Sequence, residues 1–166
     1  WHLASDEMNG FKSLFSENVS LVPDRANVFL SFGEIDCRED EGILLFQQKS
    51  GQDLDEIIAK TINGYVRFVE KQFRGKSCKL FFFDVPAPCF SQTQGSEYTE
   101  VDYEKLNVIK KFNAALRRAL AKRELKLIDT FSFTSGNGGF SNNCYHLDDR
   151  HLRPSSLNQI QKQLAF

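Results

Sequence analysis

The segment Asn27-Val28-Phe29-Leu30-Ser31-Phe32-Gly33 indicates the fold class, because it is an apolar run of strand-forming residues that ends at a glycine. An apolar run without a polar face is typical of a parallel strand that is buried on both sides of its sheet. Similar runs lie at residues 77–85 and 125–133. The sequence therefore predicts a parallel sheet in which these three segments are adjacent central strands.

Amphipathic helices are predicted around these strands from apolar residues at three- and four-residue spacing. The predicted helices cover residues 7–17, 53–74, 102–123 and 156–164. Asp53 with Glu56 and Ser156 with Gln159 have the spacing of capping boxes, and Asp102 is a good N-cap residue. The short apolar segment 43–46 is left unassigned.

Strands that alternate with helices at this spacing favour right-handed crossovers and a sheet covered on both faces. The expected fold is thus an α/β protein, a three-layer α/β/α sandwich with a mainly parallel sheet. The length of 166 residues fits one domain spanning 1–166. Ligands of such folds bind beyond the C-terminal ends of the strands, where segments 33–38 and 86–90 and the loop leading to His151 should meet.

The composition excludes several classes of partner. A net charge of −1 without a strongly basic face implies neither nucleic acid nor an anionic membrane, and no apolar run is long enough to span a bilayer. The four cysteines, Cys37, Cys78, Cys89 and Cys144, are too widely spaced for a zinc motif and are expected to be free thiols of a cytoplasmic protein. No cofactor is expected, and the sequence does not indicate an oligomeric state.

The stretch from Tyr145 to Pro154 holds two imidazoles, two carboxylates and two guanidiniums, more proton-handling groups than any other ten residues. Asp148-x-x-His151 has the spacing at which a carboxylate can orient an imidazole that acts as a base. The same residues could form a capped turn before a helix. In a further alternative, His146, Asp148 and His151 bind a divalent metal.

A second polar segment, Gly33-Glu34-Ile35-Asp36-Cys37-Arg38, follows the first strand. Gly33-x-x-Asp36 gives a tight turn and a carboxylate at the edge of the sheet, although Asp36 could equally cap local amides and pair with Arg38. Cys37 could be considered as a nucleophile beside a histidine. A small residue that fills space behind the strand end is the preferred interpretation.

Together these motifs resemble the third and fifth sequence blocks of the SGNH (GDSL) hydrolases, with the strand into Val85-Pro86-Ala87-Pro88 between them. The resemblance implies a flavodoxin-like fold and cleavage of acyl or acetyl esters, with a small-molecule or carbohydrate ester as substrate. It makes His151 the general base and Asp148 its orienting carboxylate. It also places the substrate-binding or oxyanion region at Gly33, Glu34, Asp36 and Arg38, with no metal.

The chain departs from the family pattern at two points. Ile35 stands where the third block has Asn, and loss of one such oxyanion donor typically costs about 3 kcal/mol of transition-state stabilisation. Arg38 or a backbone amide could substitute for it.

The second departure concerns the nucleophile, because no strand with a Gly-Asp-Ser block precedes Gly33, and Ser5 lies too close to the start for a strand before it. The serine and the first strand are therefore expected upstream of Trp1, in a domain that is N-terminally incomplete here, with Trp1-His2-Leu3 as the tail of the second-strand region. The alternatives are a non-catalytic binding domain with the same fold and a metal-dependent hydrolase.

Overall fold

The computed structural model describes residues 2–90 and 97–164, so Trp1 lies outside the described residues. The strands are β1 (Asn27–Ser31), β2 (Lys79–Phe83) and β3 (Lys126–Ile128). The helices are α1 (Gly10–Leu21), α2 (Gly42–Ser50), α3 (Leu54–Gln72), α4 (Glu100–Ala121), α5 (Thr130–Thr134) and α6 (Leu157–Leu164). None of the described helices has both the length and the apolarity that crossing a bilayer demands.

The three strands form one sheet in the order β1-β2-β3, and both pairings are parallel. Phe29 lies beside Phe81, and Phe82 lies beside Leu127. Parallel neighbours of this kind require a crossover between them, which α3 and α4 supply. The predicted α/β sandwich with a parallel sheet is therefore confirmed. Among the described residues, β1 pairs with β2 alone.

The main core lies between one face of the sheet and the helices α3 and α4. Leu30 and Phe82 point into it from the strands, and both are buried. The apolar stripes predicted for the two long helices supply the other side, with Ile58, Ile62, Val66 and Val69 from α3 and Ile109, Phe112, Leu116 and Leu120 from α4. On the opposite face, the ring of the exposed Phe29 stacks on that of Phe81 at a centroid distance of 5.1 Å.

The prediction of a strand over 125–133 is wrong in its second half, because β3 ends at Ile128 and α5 begins at Thr130. Asp129 caps this helix, its carboxylate accepting from the backbone N–H of Ser132 at 2.9 Å. Asp84, which follows β2, accepts from the N–H of Thr130 at 2.6 Å. Two carboxylates at one helix start thus override the strand propensity of the apolar residues.

Other boundaries also differ from the predictions. The unassigned segment 43–46 lies inside α2, which begins at Gly42. The first helix starts later than predicted, where Asn9 accepts from the N–H of Lys12 at 3.0 Å. Thr99 rather than Asp102 is the N-cap of α4, and Asp102 occupies position N3 of that capping box. The buried Ser156 ends a 3-10 turn, so α6 begins at Leu157.

Candidate active site

The loop that carries Asp148 and His151 is a small hairpin held by backbone hydrogen bonds. The N–H of Leu147 donates to the carbonyl of His151 at 2.8 Å, and the N–H of Arg153 donates to the carbonyl of Tyr145 at 2.7 Å. Closed at both ends in this way, the loop has a defined shape without regular secondary structure. Such a loop can hold a functional side chain in a fixed direction.

His151 and Asp148 form the hydrogen bond that the sequence predicted. His151 Nδ1 lies 2.8 Å from Oδ2 and 3.0 Å from Oδ1 of Asp148. Oδ1 also accepts from the backbone N–H groups of Arg150 at 2.8 Å and His151 at 2.7 Å. The carboxylate therefore caps the turn and orients the ring at the same time. The two interpretations of this motif, a capped turn and an oriented imidazole, describe one arrangement.

The protonation state of Asp148 determines which nitrogen of His151 is available. The hydrogen bond from the imidazole, with help from the two backbone N–H groups, lowers the pKa of Asp148 to about 2. An ionised carboxylate can only accept, so Nδ1 of His151 must carry the proton that it donates. In the neutral ring the lone pair then lies on Nε2, as a general base requires.

His151 shares a cavity of about 550 Å³ with the other predicted site residues. Gly33, Glu34, Asp36 and Arg38 all line it. The loop after β1 and the loop before α6 therefore meet beyond the strand ends, as expected for a parallel sheet. One cavity thus joins His151 to the predicted oxyanion region, and Asp148 is joined to it through its hydrogen bond with His151. The roles of these residues in catalysis stay predictions.

The turn at Gly33 has a shape that only glycine tolerates. Its φ is +97°, and an added Cβ would lie 2.4 Å from the ring of Phe112 in α4. The N–H of Cys37 closes the turn by donating to the carbonyl of Gly33 at 3.0 Å.

The side chain of Cys37 is buried, and that burial raises the pKa of its thiol. Cys37 thus fills space behind the strand end, and the nucleophile alternative is not supported.

Arg38 is held between two carboxylates. Its guanidinium makes a bidentate contact with Glu34 at 2.6 and 2.9 Å and a further contact with Glu41 at 2.6 Å. The hydrogen bonds to Glu34 are the main cause that raises the pKa of Arg38. A cation already paired in this way is a weak oxyanion donor. Ile35, at the position of the family's Asn, is exposed and lines the cavity.

His146 is buried, and its ring forms hydrogen bonds outside the Asp148–His151 pair, which we call the dyad. Its Nδ1 lies 2.7 Å from Oγ of Ser141, and a further hydrogen bond joins its ring to the backbone of Ala87. Burial lowers the pKa of His146, so the neutral ring is favoured. The proposed metal site of His146, Asp148 and His151 is therefore wrong in geometry. Within residues 2–90 and 97–164, no three His, Cys, Asp or Glu side chains are grouped to bind a metal.

Sequence reasoning missed two features of this region. The first is Asp84, which is only 2% exposed although it carries a carboxylate, and its signal was a charged residue directly after an apolar strand. The second is the participation of α1, whose Phe11, Leu14 and Phe15 line the cavity. The apolar spacing of these residues predicted an amphipathic helix, but the sequence analysis did not connect that helix with the site.

No protein-family model matches the sequence, and no curated protein matches it. Solved structures do match. A provisionally named acylhydrolase from Bacteroides fragilis NCTC 9343 superposes with a TM-score of 0.54 at 13% identity, over 95% of this chain and 96% of that protein. A GDSL-like lipase from Bacteroides thetaiotaomicron VPI-5482 gives a TM-score of 0.54 at 13% identity, over 93% and 95% of the two chains. Identity at this level speaks for the fold alone, and the chain therefore has the fold of the SGNH (GDSL) hydrolases.

Proposed function

We propose that the protein hydrolyses acyl esters, with His151 as general base and Asp148 as the carboxylate that orients it. The observation that supports this most directly is the 2.8 Å contact between His151 Nδ1 and Asp148 Oδ2 at the wall of a cavity beyond the strand ends. The SGNH hydrolase fold supports the same proposal, since two proteins with this fold are named as an acylhydrolase and a lipase.

The nucleophile in this proposal is a serine N-terminal to Trp1, as the order of the family's sequence blocks implies. Its Oγ attacks the ester carbonyl carbon while Nε2 of His151 takes the hydroxyl proton. The imidazolium returns that proton to the leaving alcohol as the C–O bond breaks. Water then attacks the acyl-serine with His151 again as base, which releases the acid and restores the serine. Asp148 stays ionised throughout and stabilises the imidazolium.

Exposure of the dyad makes this proposal testable without unfolding the protein. Both side chains lie at the surface, where a pair of this kind contributes little to stability. In the full-length protein, His151→Ala should lower kcat for 4-nitrophenyl butanoate by a factor on the order of 10³ or more. Leu147→Ala, in the same loop and equally exposed, is the matched control and should leave kcat within about twofold.

Two results would contradict the assignment. If His151→Ala and Leu147→Ala gave equal rates, His151 would not be the base. If the full-length protein bound the ester in the cavity without any turnover, the second candidate would gain, namely a binding domain that keeps the fold without the chemistry. Ile35 favours this candidate, because it stands where the family's third block has Asn and its side chain cannot donate a hydrogen bond.

A further inference from the structure

Helix α1 exposes two large apolar side chains at the cavity that contains His151. Phe11 and Leu14 are 59% and 58% exposed, and both line the cavity. The third apolar residue of this stripe, Phe15, packs inward against Phe32 and Phe68 at centroid distances of 6.0 and 5.5 Å. Amphipathic helices normally turn such stripes into the core, so apolar residues left open beside a cavity indicate a binding surface.

The two aromatic residues of this surface, Phe11 and Phe15, pack against other aromatic rings. The ring of Phe11 stacks on that of His2 at a centroid distance of 4.3 Å and an interplanar angle of 17°. Phe15 packs against its two aromatic neighbours, and it connects α1 to the residue that follows β1 and to α3. A rigid apolar wall loses little conformational entropy when a ligand covers it.

The charged residues that line the cavity come from the loop after β1 and from the loop before α6, and none of them comes from α1. Arg38 and Glu34 are paired with each other, and Arg150 lies 3.6 Å from Asp149 beside the dyad. Among the residues of α1, all of which the structure describes, Asn18 is the one polar residue that lines the cavity. The lining is thus charged where it is formed by the loops that carry His151 and Arg38, and largely apolar where it is formed by α1. This polarity matches an ester whose carbonyl lies at the dyad and whose hydrocarbon chain points towards the helix.

We propose that the wall formed by Phe11, Leu14 and Phe15 binds the acyl chain of the substrate, and that the preferred esters carry medium-length chains of about six to eight carbons. This inference rests on the proposed function. A CH₂ group needs about the space of one water molecule, roughly 30 Å³. An octanoyl chain therefore takes about 240 Å³, which leaves room for the alcohol within a cavity of about 550 Å³. An acetyl group has a single methyl group beyond its carbonyl and can cover only a small part of the wall.

Chain length is the variable that tests the wall. Complete burial of one CH₂ group is worth about a fourfold change in an equilibrium or rate constant. From acetate to hexanoate, four additional CH₂ groups should raise kcat/KM on the order of 10²-fold if they are buried. The rates are measured on the full-length protein with 4-nitrophenyl acetate, butanoate, hexanoate and octanoate.

Two substitutions on one helix separate the wall from general effects on α1. Leu14→Asp places a carboxylate on the wall and should reduce the ratio of hexanoate to acetate kcat/KM by about tenfold or more. Leu21→Asp is the matched control, because Leu21 is 79% exposed on the same helix and does not line the cavity. It should keep the ratio of the unsubstituted protein. Leu14→Ser, a milder change, should give an intermediate ratio if the aspartate variant folds poorly.

A binding measurement distinguishes failure of this inference from failure of the proposed function. Octanoate is titrated into the protein and followed by nuclear magnetic resonance shifts of α1 and of the His151 ring. Saturable shifts that Leu14→Asp abolishes and Leu21→Asp retains support the wall even if no ester is hydrolysed. Turnover without dependence on chain length, or octanoate binding that Leu14→Asp leaves intact, overturns it.

Discussion

Replacement of Asp84 by asparagine should make the protein more stable at neutral pH, and the gain should vanish in acid. Asp84 is 2% exposed, and its Oδ1 accepts from Thr130 and from the N–H of Phe131. Its Oδ2 is buried without a hydrogen-bond partner among the described residues. The nearest cation is Arg117, at 3.9 Å, but that side chain is 56% exposed, so solvent screens it.

The magnitude follows from the pKa of this carboxyl group. Burial raises the pKa of Asp84 from 3.8 to about 6. Between these values the folded protein binds more protons than the unfolded chain, so the free energy of unfolding falls as pH rises. At 1.36 kcal/mol per pKa unit, a difference of about two units corresponds to about 3 kcal/mol. Protonated Asp84 is stabilising relative to ionised Asp84, and this contribution to the free energy of unfolding is fully present below about pH 4 and lost above about pH 6. The amide side chain of the variant keeps the acceptor oxygen and cannot ionise.

The assay is urea unfolding of the unsubstituted protein and the Asp84→Asn variant at several pH values from about 4.5 to 8. The difference in the free energy of unfolding should grow with pH by about 2 to 3 kcal/mol in favour of the variant. Asp55→Asn is the control, since Asp55 is exposed on α3 and pairs with Lys111. If the difference in the free energy of unfolding stayed constant across this pH range, ionisation of the buried Asp84 would cost little free energy. The reasoning from burial would then be wrong.

Three further predictions concern the site. Gly33→Ala should destabilise the fold by about 2 kcal/mol or more in urea unfolding, because φ is +97° and the new Cβ would meet the ring of Phe112 at 2.4 Å; an unchanged midpoint would contradict this packing. Ile35→Asn should raise kcat of the full-length protein towards short-chain esters by about 10- to 100-fold if this position stabilises the oxyanion, and an unchanged kcat would place the oxyanion donors elsewhere. His146→Phe should lower the melting temperature by several degrees, since it removes the hydrogen bond of 2.7 Å between this buried ring and the hydroxyl of Ser141. A variant as stable as the unsubstituted protein would show that this contact is dispensable.

The fold could be predicted largely from local patterns. Apolar runs ending at turn residues located all three strands, and the stripes of α3 and α4 were correct because a helix that covers a sheet must be apolar at three- and four-residue spacing. The hydrogen bond between Asp148 and His151 was also predictable, because both residues lie in one turn and spacing alone brings them into reach. Two side chains that are three positions apart in one turn can adopt only a few relative arrangements.

The predictions that failed concern features that depend on contacts between segments distant in sequence. The end of β3 at Ile128 depends not only on the local cap Asp129 but also on Asp84, which lies 46 residues before Thr130 and accepts from its backbone N–H. The apolar face of α1 has the same pattern whether a helix is buried or open, and only packing shows that Phe11 stays at the cavity. His146 and His151 look alike in sequence, yet one is buried against Ser141 and the other faces the cavity. Local spacing determines which side chains lie on one turn or one face, whereas burial and the distribution of hydrogen bonds are decided only when the whole chain packs.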